Sequence, residues 1–285
     1  METLRMCSAG AEEYMSLGKI KVLDKGYIQL VDYAGVDETV VAAARQSYDK
    51  GMNQDDMTGN ERLINFLMRE WHTSPFEQPM MSFEVKAPIM VFREWHRHRL
   101  ARLNEMSGRY TELPEEYYIP EQARVQANSK TNKQGSSEYI GDEKADKFIA
   151  SLVNSCAGSF KMYREALDDG IAKELARLAL PVNTYSKMVW QSDLRNILGF
   201  LKLRTSLKAQ FEIRMFANQM AMMVKASYPK VWEAFDEYNL NAMSFSKSEL
   251  QILDMILLHY DGYGVGNTLV EKISKKLDSR HTYIF

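Results

Sequence analysis

The sequence predicts a globular chain of mixed helices and strands, and two observations carry the prediction. Short strand-like runs, among them the apolar/polar alternation of 80–87, recur at 19–32, 80–87 and 184–191. Between and after them lie longer stretches whose apolar residues return every three or four positions, as the buried face of a helix does. Composition agrees. Hydrophobic residues make up 45% and charged residues 26%, a balance that builds a packed core. No run approaches the ~18 consecutive apolar residues of a membrane helix.

Taken in order, residues 19–32 hold two strand-like runs around the turn Asp24-Lys25-Gly26. Residues 37–48 read as a helix with Val40, Val41 and Ala44 on one face, and 60–71 as another with Leu63, Phe66, Leu67 and Trp71. His72-Thr73-Ser74-Pro75-Phe76-Glu77 breaks that helix. After the strand 80–87, Pro88 opens a helix through about Leu100, proline being suited to a first helical position. Residues 120–138 contain almost nothing to bury and read as a loop, either a surface excursion or an active-site flap. A long helix spans roughly 142–169, with Ile149, Leu152, Val153, Cys156, Phe160, Tyr163 and Leu167 as its stripe. A strand over 184–191, a helix over 193–203 and a long helix over 206–227 follow. Met215, Met220, Met222 and Met223 on that last helix read as gap-filling core residues. Beyond about residue 238, Ser246 and Glu249 form a capping box for a helix over 247–259. Gly262, Gly264 and Gly266 then read as a turn, since they lack the spacing and the strand of a dinucleotide loop.

Net charge is −2, so the chain as a whole is no polyanion binder, and a phosphate site must be a local basic cluster. Cys7 and Cys156 give neither a disulfide framework nor a metal cluster. A reducing, cytoplasmic setting fits that usage, and the N-terminus lacks the apolar segment of a secretory signal.

The chemistry concentrates in residues 93–110, REWHRHRLARLNEMSGRY. This stretch packs five arginines, two histidines and two glutamates into eighteen residues. Three readings stand beside one another: a site for an anionic small molecule, a nucleic-acid contact and structural ion pairing. The charges occupy nearly all sides of the predicted helix, which a solvated face would not do. Asn104 to Tyr110 are polar turn formers with a glutamate among them, and no extended phosphate track continues from the cluster. His96 and His98, two apart, diverge on a helix and suit no metal.

Arg97-His98-Arg99, then seven residues, then Ser107, with Asn104-Glu105-Met106-Ser107-Gly108-Arg109-Tyr110 around it, resembles the signature of the flavin-dependent thymidylate synthases. His72-Thr73-Ser74-Pro75-Phe76-Glu77 is similar to a second segment of that family. Glu174-Leu175-Ala176-Arg177 with Leu180-Pro181 is similar to a third, and Leu194-Arg195, Phe200-Leu201 and Leu203-Arg204 to a fourth. The resemblance covers residues 19–238, apart from an N-terminal segment (1–18) and a C-terminal helical extension (239–285). It implies an α+β fold, a twisted sheet flanked by helices, assembled as a homotetramer with active sites where subunits meet. The chain departs from the pattern at Glu94, Arg102, Asp193, Gly199 and Lys208, where glutamine, serine, and asparagine or histidine are frequent.

The resemblance also implies the reaction: dUMP becomes dTMP, with methylenetetrahydrofolate as carbon donor and NADPH-reduced FAD as hydride source. It assigns Ser107 and Arg204 to catalysis. It assigns Glu94, Arg97, Glu105, Met106, Ser107, Gly108, Arg109, Arg177 and Arg204 to dUMP. It assigns His72, Ser74, Arg97, His98, Arg99, Glu105, Asp193 and Arg195 to FAD. It implies no metal, no nucleic-acid partner and no membrane partner. No cysteine nucleophile is expected, because neither Cys7 nor Cys156 sits among the cations that would activate a thiol.

Overall fold

A computed structural model describes residues 8–47, 57–130 and 135–258. Contacts divide the chain into two compact units, Met1–Leu240 and Asn241–Phe285. In the first, α1 (Ala9–Leu17) precedes a hairpin of β1 (Ile20–Val22) and β2 (Gly26–Ala34), then α2 (Asp37–Gln46) and α3 (Met57–Arg69). Next come β3 (Met80–Pro88), α4 (Ile89–Trp95), β4 (Arg102–Glu105), β5 (Gln126–Asn128), β6 (Ser136–Tyr139), α5 (Asp142–Asp168) and α6 (Lys173–Ala176). The unit closes with β7 (Tyr185–Asp193), α7 (Leu194–Arg204), α8 (Phe211–Ser227) and α9 (Pro229–Phe235).

The architecture is α+β, as expected: a five-stranded antiparallel sheet in the order β1-β2-β3-β7-β4, flanked by helices. One face of β3 and β7 supplies Phe83, Val85, Met188 and Trp190 to the core, against Phe92, Trp95, Phe200 and Phe216 of α4, α7 and α8. The alternating residues Glu84, Lys86, Lys187 and Gln191 point the other way, which is why the strands read with period two. Among the described residues strand β4 is an edge, paired with β7 alone.

Several expectations are corrected. The helix from Pro88 ends at Trp95, not Leu100; His98 N–H bonds back to Trp95 C=O at 3.0 Å, a tight last turn. The helix expected from 206 begins at Phe211, because the Ser206 hydroxyl accepts from Lys208 N–H and offers the backbone a turn instead. Residues 120–138 hold the β5–β6 ribbon, whose strands are exposed on both faces and so leave no hydrophobic period. On α3 it is Ile64 and Leu67 that are buried while Phe66 is exposed, and Trp71, beyond the end of the helix, is exposed too. Met220 and Met223 fill the core, Met215 packs against it, and Met222 is exposed.

In the second unit, α10 (Lys247–Leu258) starts with the expected capping box: Ser246 N–H donates to Glu249 Oε2 (2.7 Å) and Glu249 N–H to Ser246 Oγ (3.3 Å). Cys7 and the glycine turn at 262–266 lie outside the described residues.

Candidate active site

The signature begins where α4 ends. Trp95 is buried against Phe200 (4.8 Å between ring centroids) and Trp190 (5.8 Å), which pins the helix terminus to the core. Residues 96–101 then leave it as a polar turn. Ser192 Oγ donates to Leu100 C=O at 2.8 Å, tying this turn to the far end of β7. The chain returns along β7 as β4, until Met106 N–H donates to Lys187 C=O at 2.8 Å. Leu100 and Met106 are thus anchored to points five residues apart on β7, roughly 17 Å at about 3.4 Å per residue.

Two residues before Leu100, His98 meets Arg204, the last residue of α7. Its Nε donates to His98 Nε2 (3.0 Å), its Nη1 to Glu94 Oε2 (2.6 Å) and its Nη2 to the Glu94 carbonyl (3.0 Å). The side chain is only 16% exposed. Because His98 Nε2 accepts, the imidazole is neutral with its proton on Nδ1. Burial and then the Arg204 charge push its pKa down to about 4, although Glu94 opposes this. The guanidinium is therefore fixed by an acid, a carbonyl and a neutral ring.

At the second anchor, Ser107, Gly108 and Arg109 form a turn in which Ser107 C=O accepts from Tyr110 and Thr111 N–H. Gly108 is buried, and a Cβ there would meet Arg177 Cδ at 3.2 Å and Leu113 Cδ1 at 3.3 Å. That closeness brings Arg177 to the signature. Arg109 Nε reaches Glu174 Oε2 at 3.0 Å, an exposed pair. Glu105, one strand residue back, accepts from buried Ser186 Oγ at 2.8 Å. Its other oxygen lies 3.8 Å from His96 Nε2, too long for a hydrogen bond and within ion-pair reach.

A third group lies at the start of α7. Asp193 caps the helix, accepting from Asn196 N–H (2.9 Å) and Asn196 Nδ2 (2.7 Å). Arg195 pairs with Glu77 at 3.1 Å, beside the exposed His72 and Ser74. Arg195 and Arg204 are nine residues apart on one helix, roughly 14 Å.

A cavity of about 1190 Å³ opens beside Arg204 and Glu94, walled by β5, the start of β6, Lys208 and the first turn of α8. Its wall is fixed by buried Glu212, which accepts from Arg124 Nε (2.8 Å) and Nη2 (3.3 Å), Gln210 Nε2 (2.8 Å) and Tyr118 Oη (3.2 Å). Burial would raise this carboxyl, but the Arg124 hydrogen bonds and charge outweigh it and hold it below the usual range.

The model of the thymidylate synthase complementing protein family matches residues 29–230. The chain belongs to this family, the flavin-dependent thymidylate synthases. It is similar to the flavin-dependent thymidylate synthase of Thermus thermophilus, 45% identical over 84% of this chain and 86% of the relative. That of Rickettsia prowazekii is 38% identical over 90% of each. Among solved structures, a UMP/dUMP methylase PolB from Streptomyces cacaoi bound with 5-Br dUMP superposes with a TM-score of 0.69 and 34% identity. The match covers 78% of this chain and 99% of that one. The same methylase bound with 5-Br UMP gives 0.70 and 32%, over 79% and 99%.

The family signature is thus split by the fold. Glu94 and His98 come together with Arg204, and Ser107, Gly108 and Arg109 with Arg177, at opposite ends of β4. Arg97 and Arg99 stand exposed on the intervening turn, and Met106 is half-buried. Among the described residues no group of three His, Cys, Asp or Glu side chains is placed to hold a metal ion. Sequence reading missed Ser186, the Arg124–Glu212 pair and the cavity. Only the alternation of β7, which sets Ser186 on the buried face, carried a signal for any of them.

Proposed function

We propose that this protein methylates dUMP to dTMP as a homotetramer, taking carbon from methylenetetrahydrofolate and electrons from NADPH through FAD. The observation that carries the reading is Arg204: a guanidinium held rigidly at the rim of a large cavity and bonded to His98 of the family signature. Uracil C5 must become nucleophilic, and a fixed cation against a pyrimidine carbonyl stabilises negative charge on the ring, the electron-rich form from which C5 attacks the carbon donor. The C–N bond to the folate breaks, the C5 proton leaves, and tetrahydrofolate is released. Ser107, the Gly108 backbone, Arg109 and Arg177 supply a hydroxyl, N–H donors and two cations suited to a nucleotide phosphate. Glu105, held by Ser186, orients the nucleotide.

Arg97 and Arg99 are exposed and have no acidic partner among the described residues, so their donors suit a pyrophosphate. With His98, His72, Ser74, Asp193 and Arg195 they would hold FAD. Bound FAD supplies the hydride that completes the methyl group. The buried thiol of Cys156 contacts Asn183 and takes no part.

The resemblance to the family supports assembly, with two copies each giving one end of β4 to a nucleotide. Leu100, Leu103, Leu178 and Leu203 are exposed around these groups and give an interface its apolar area. A cytoplasmic setting agrees with a free buried cysteine. The test is dTMP formation from dUMP, methylenetetrahydrofolate and NADPH by the yellow protein, with light scattering for the mass. A monomer that binds FAD stoichiometrically sinks the assembly. A flavoprotein that binds dUMP without turnover leaves a nucleotide-binding regulator.

A further inference from the structure

The Glu105 carboxylate is gripped through one oxygen. Ser186 Oγ donates to Oε1 at 2.8 Å, and Met106 N–H, donating to Lys187 C=O, fixes the backbone beside it. A single hydrogen bond lets the carboxylate pivot about the bonded oxygen, because the terminal torsion of a glutamate is broad. His96 faces the other oxygen, with Nε2 at 3.8 Å from Oε2. This imidazole is firmly placed. His96 caps the C-terminus of α4, its backbone N–H donates to Phe92 C=O at 2.8 Å, and its ring stacks on buried Phe92 with 6.2 Å between centroids and 19° between planes. Its Nε2 is nevertheless buried without a hydrogen-bond partner among the described residues. A buried nitrogen left that way keeps its full desolvation cost. The indole nitrogens of Trp95 and Trp190 lack partners too, but core side chains enclose them. The orphaned nitrogen of His96 faces a carboxylate of the site.

We propose that His96 is a positioning residue for the reaction: its Nε2–H closes on Glu105 Oε2, so that His96 and Ser186 together hold the carboxylate in one orientation toward dUMP. The inference rests on the role of Glu105 proposed above. Closure takes a movement of about 0.6 Å from the observed 3.8 Å to the ~3.2 Å limit of an N–H···O bond. Hydrogen bonds at such sites tighten in this way once the ligand is bound. The second contact matters because a carboxylate held through both oxygens cannot pivot, and its remaining lone pairs then point in fixed directions. The stack on Phe92 and the backbone bond carry the ring independently of Glu105, so the nitrogen can be removed without removing what places it.

His96→Phe keeps a ring on Phe92 and deletes the nitrogen. In the full FAD-loaded protein it should raise Kd for dUMP, measured by calorimetry, and KM for dUMP about tenfold, the scale of one hydrogen bond to a charged group. Flavin absorbance, kcat and KM for NADPH should stay near wild type. Glu105→Ala removes the group through which His96 acts, so adding His96→Phe to it should cost little more. A histidine with a merely structural role would give additive losses. Ser186→Ala should share the phenotype of His96→Phe, and Ser186→Thr, which keeps the hydroxyl, should restore it. His96→Leu carries the same cycle if phenylalanine disturbs folding, and His96→Gln, which keeps a donor, should recover part of the affinity. Additive losses in the Glu105→Ala background overturn the assignment, as does wild-type dUMP affinity in His96→Phe or a raised KM for NADPH in place of dUMP. A wild-type protein that does not bind dUMP, or a Glu105→Ala variant that binds it normally, sinks the reading of Glu105 and this inference with it. Weak dUMP binding in Glu105→Ala beside an indifferent His96→Phe sinks this inference alone.

Discussion

The two ends of β4 hold arginines in opposite ways. Arg204 is nearly buried and bonded through three nitrogens to Glu94 and His98, more than a hundred residues away in sequence. Arg109 and Arg177 are exposed, one paired loosely with Glu174 and the other leaning on Gly108. The first is preorganised before any ligand arrives, which suits a group that must stabilise charge during reaction. The second, on the proposed reading, is half a cradle that a ligand or another copy of the chain would close. On the proposed assignment, a cation is placed rigidly where geometry would set rate and left adjustable where it would only bind.

The largest expected effect breaks this contrast at its rigid end. Arg204→Ala should cost about 2–5 kcal/mol in dUMP affinity and turnover, the scale for truncating one partner of a buried charged hydrogen bond, while the flavin absorbance persists. Arg204→Lys should not restore it, since a point charge cannot reach the Glu94 carboxylate, its carbonyl and His98 together. Arg97→Ala, by contrast, should weaken FAD and dUMP together. Flavin and dUMP titrations on both variants check this, and loss of FAD with dUMP binding intact in Arg204→Ala would reverse the assignment.

Gly108→Ala comes next. The added methyl meets Arg177 and Leu113 at 3.2 and 3.3 Å, an overpacking that costs about 1–3 kcal/mol where neighbours cannot yield. Arg177 is a flexible side chain, so the loss should lie at the low end and appear as a raised KM for dUMP with little change in kcat.

His98 gives a smaller, pH-dependent effect. An unfolded imidazole binds a proton below pH 6.5, whereas the folded one refuses it until about pH 4. Its contribution to stability is therefore complete above pH 6.5 and lost as pH falls from 6.5 to 4. With allowance for its partial exposure it amounts to about 1 kcal/mol. Denaturant midpoints at pH 7 and pH 4.5 should differ less in His98→Gln than in wild type, and the His98 resonance should not titrate near neutrality.

The smallest effect belongs to the adjustable end. Glu174→Gln removes an exposed partner of Arg109 and should change stability by less than about 0.5 kcal/mol. A loss above about 1 kcal/mol, the top of the range for exposed pairs, would mean that this end is as rigid as the other.

Much of this was legible in the chain itself. Val40, Val41 and Ala44, the stripe through Cys156, Phe160 and Tyr163, and the alternation of β3 and β7 all reappear as buried faces. A residue's neighbours three, four or two positions away reveal its face whatever the face packs against. The cations of Arg97 to Tyr110 likewise stand out in composition, but composition left three readings open and the resemblance to a family was needed to name the chemistry. What the sequence left open is where contacts are made by residues far apart. It did not say that the helix stops at Trp95, that Arg204 meets Glu94 and His98, or that Asp193 caps α7. Nor did it reveal the ribbon at 126–139, which is held by hydrogen bonds and by the Arg124–Glu212 pair and carries no hydrophobic period. Local pattern records which side of an element is apolar, because burial is felt residue by residue. Which arginine becomes rigid was decided only by tertiary packing, because a guanidinium is fixed by partners that no spacing along the chain encodes.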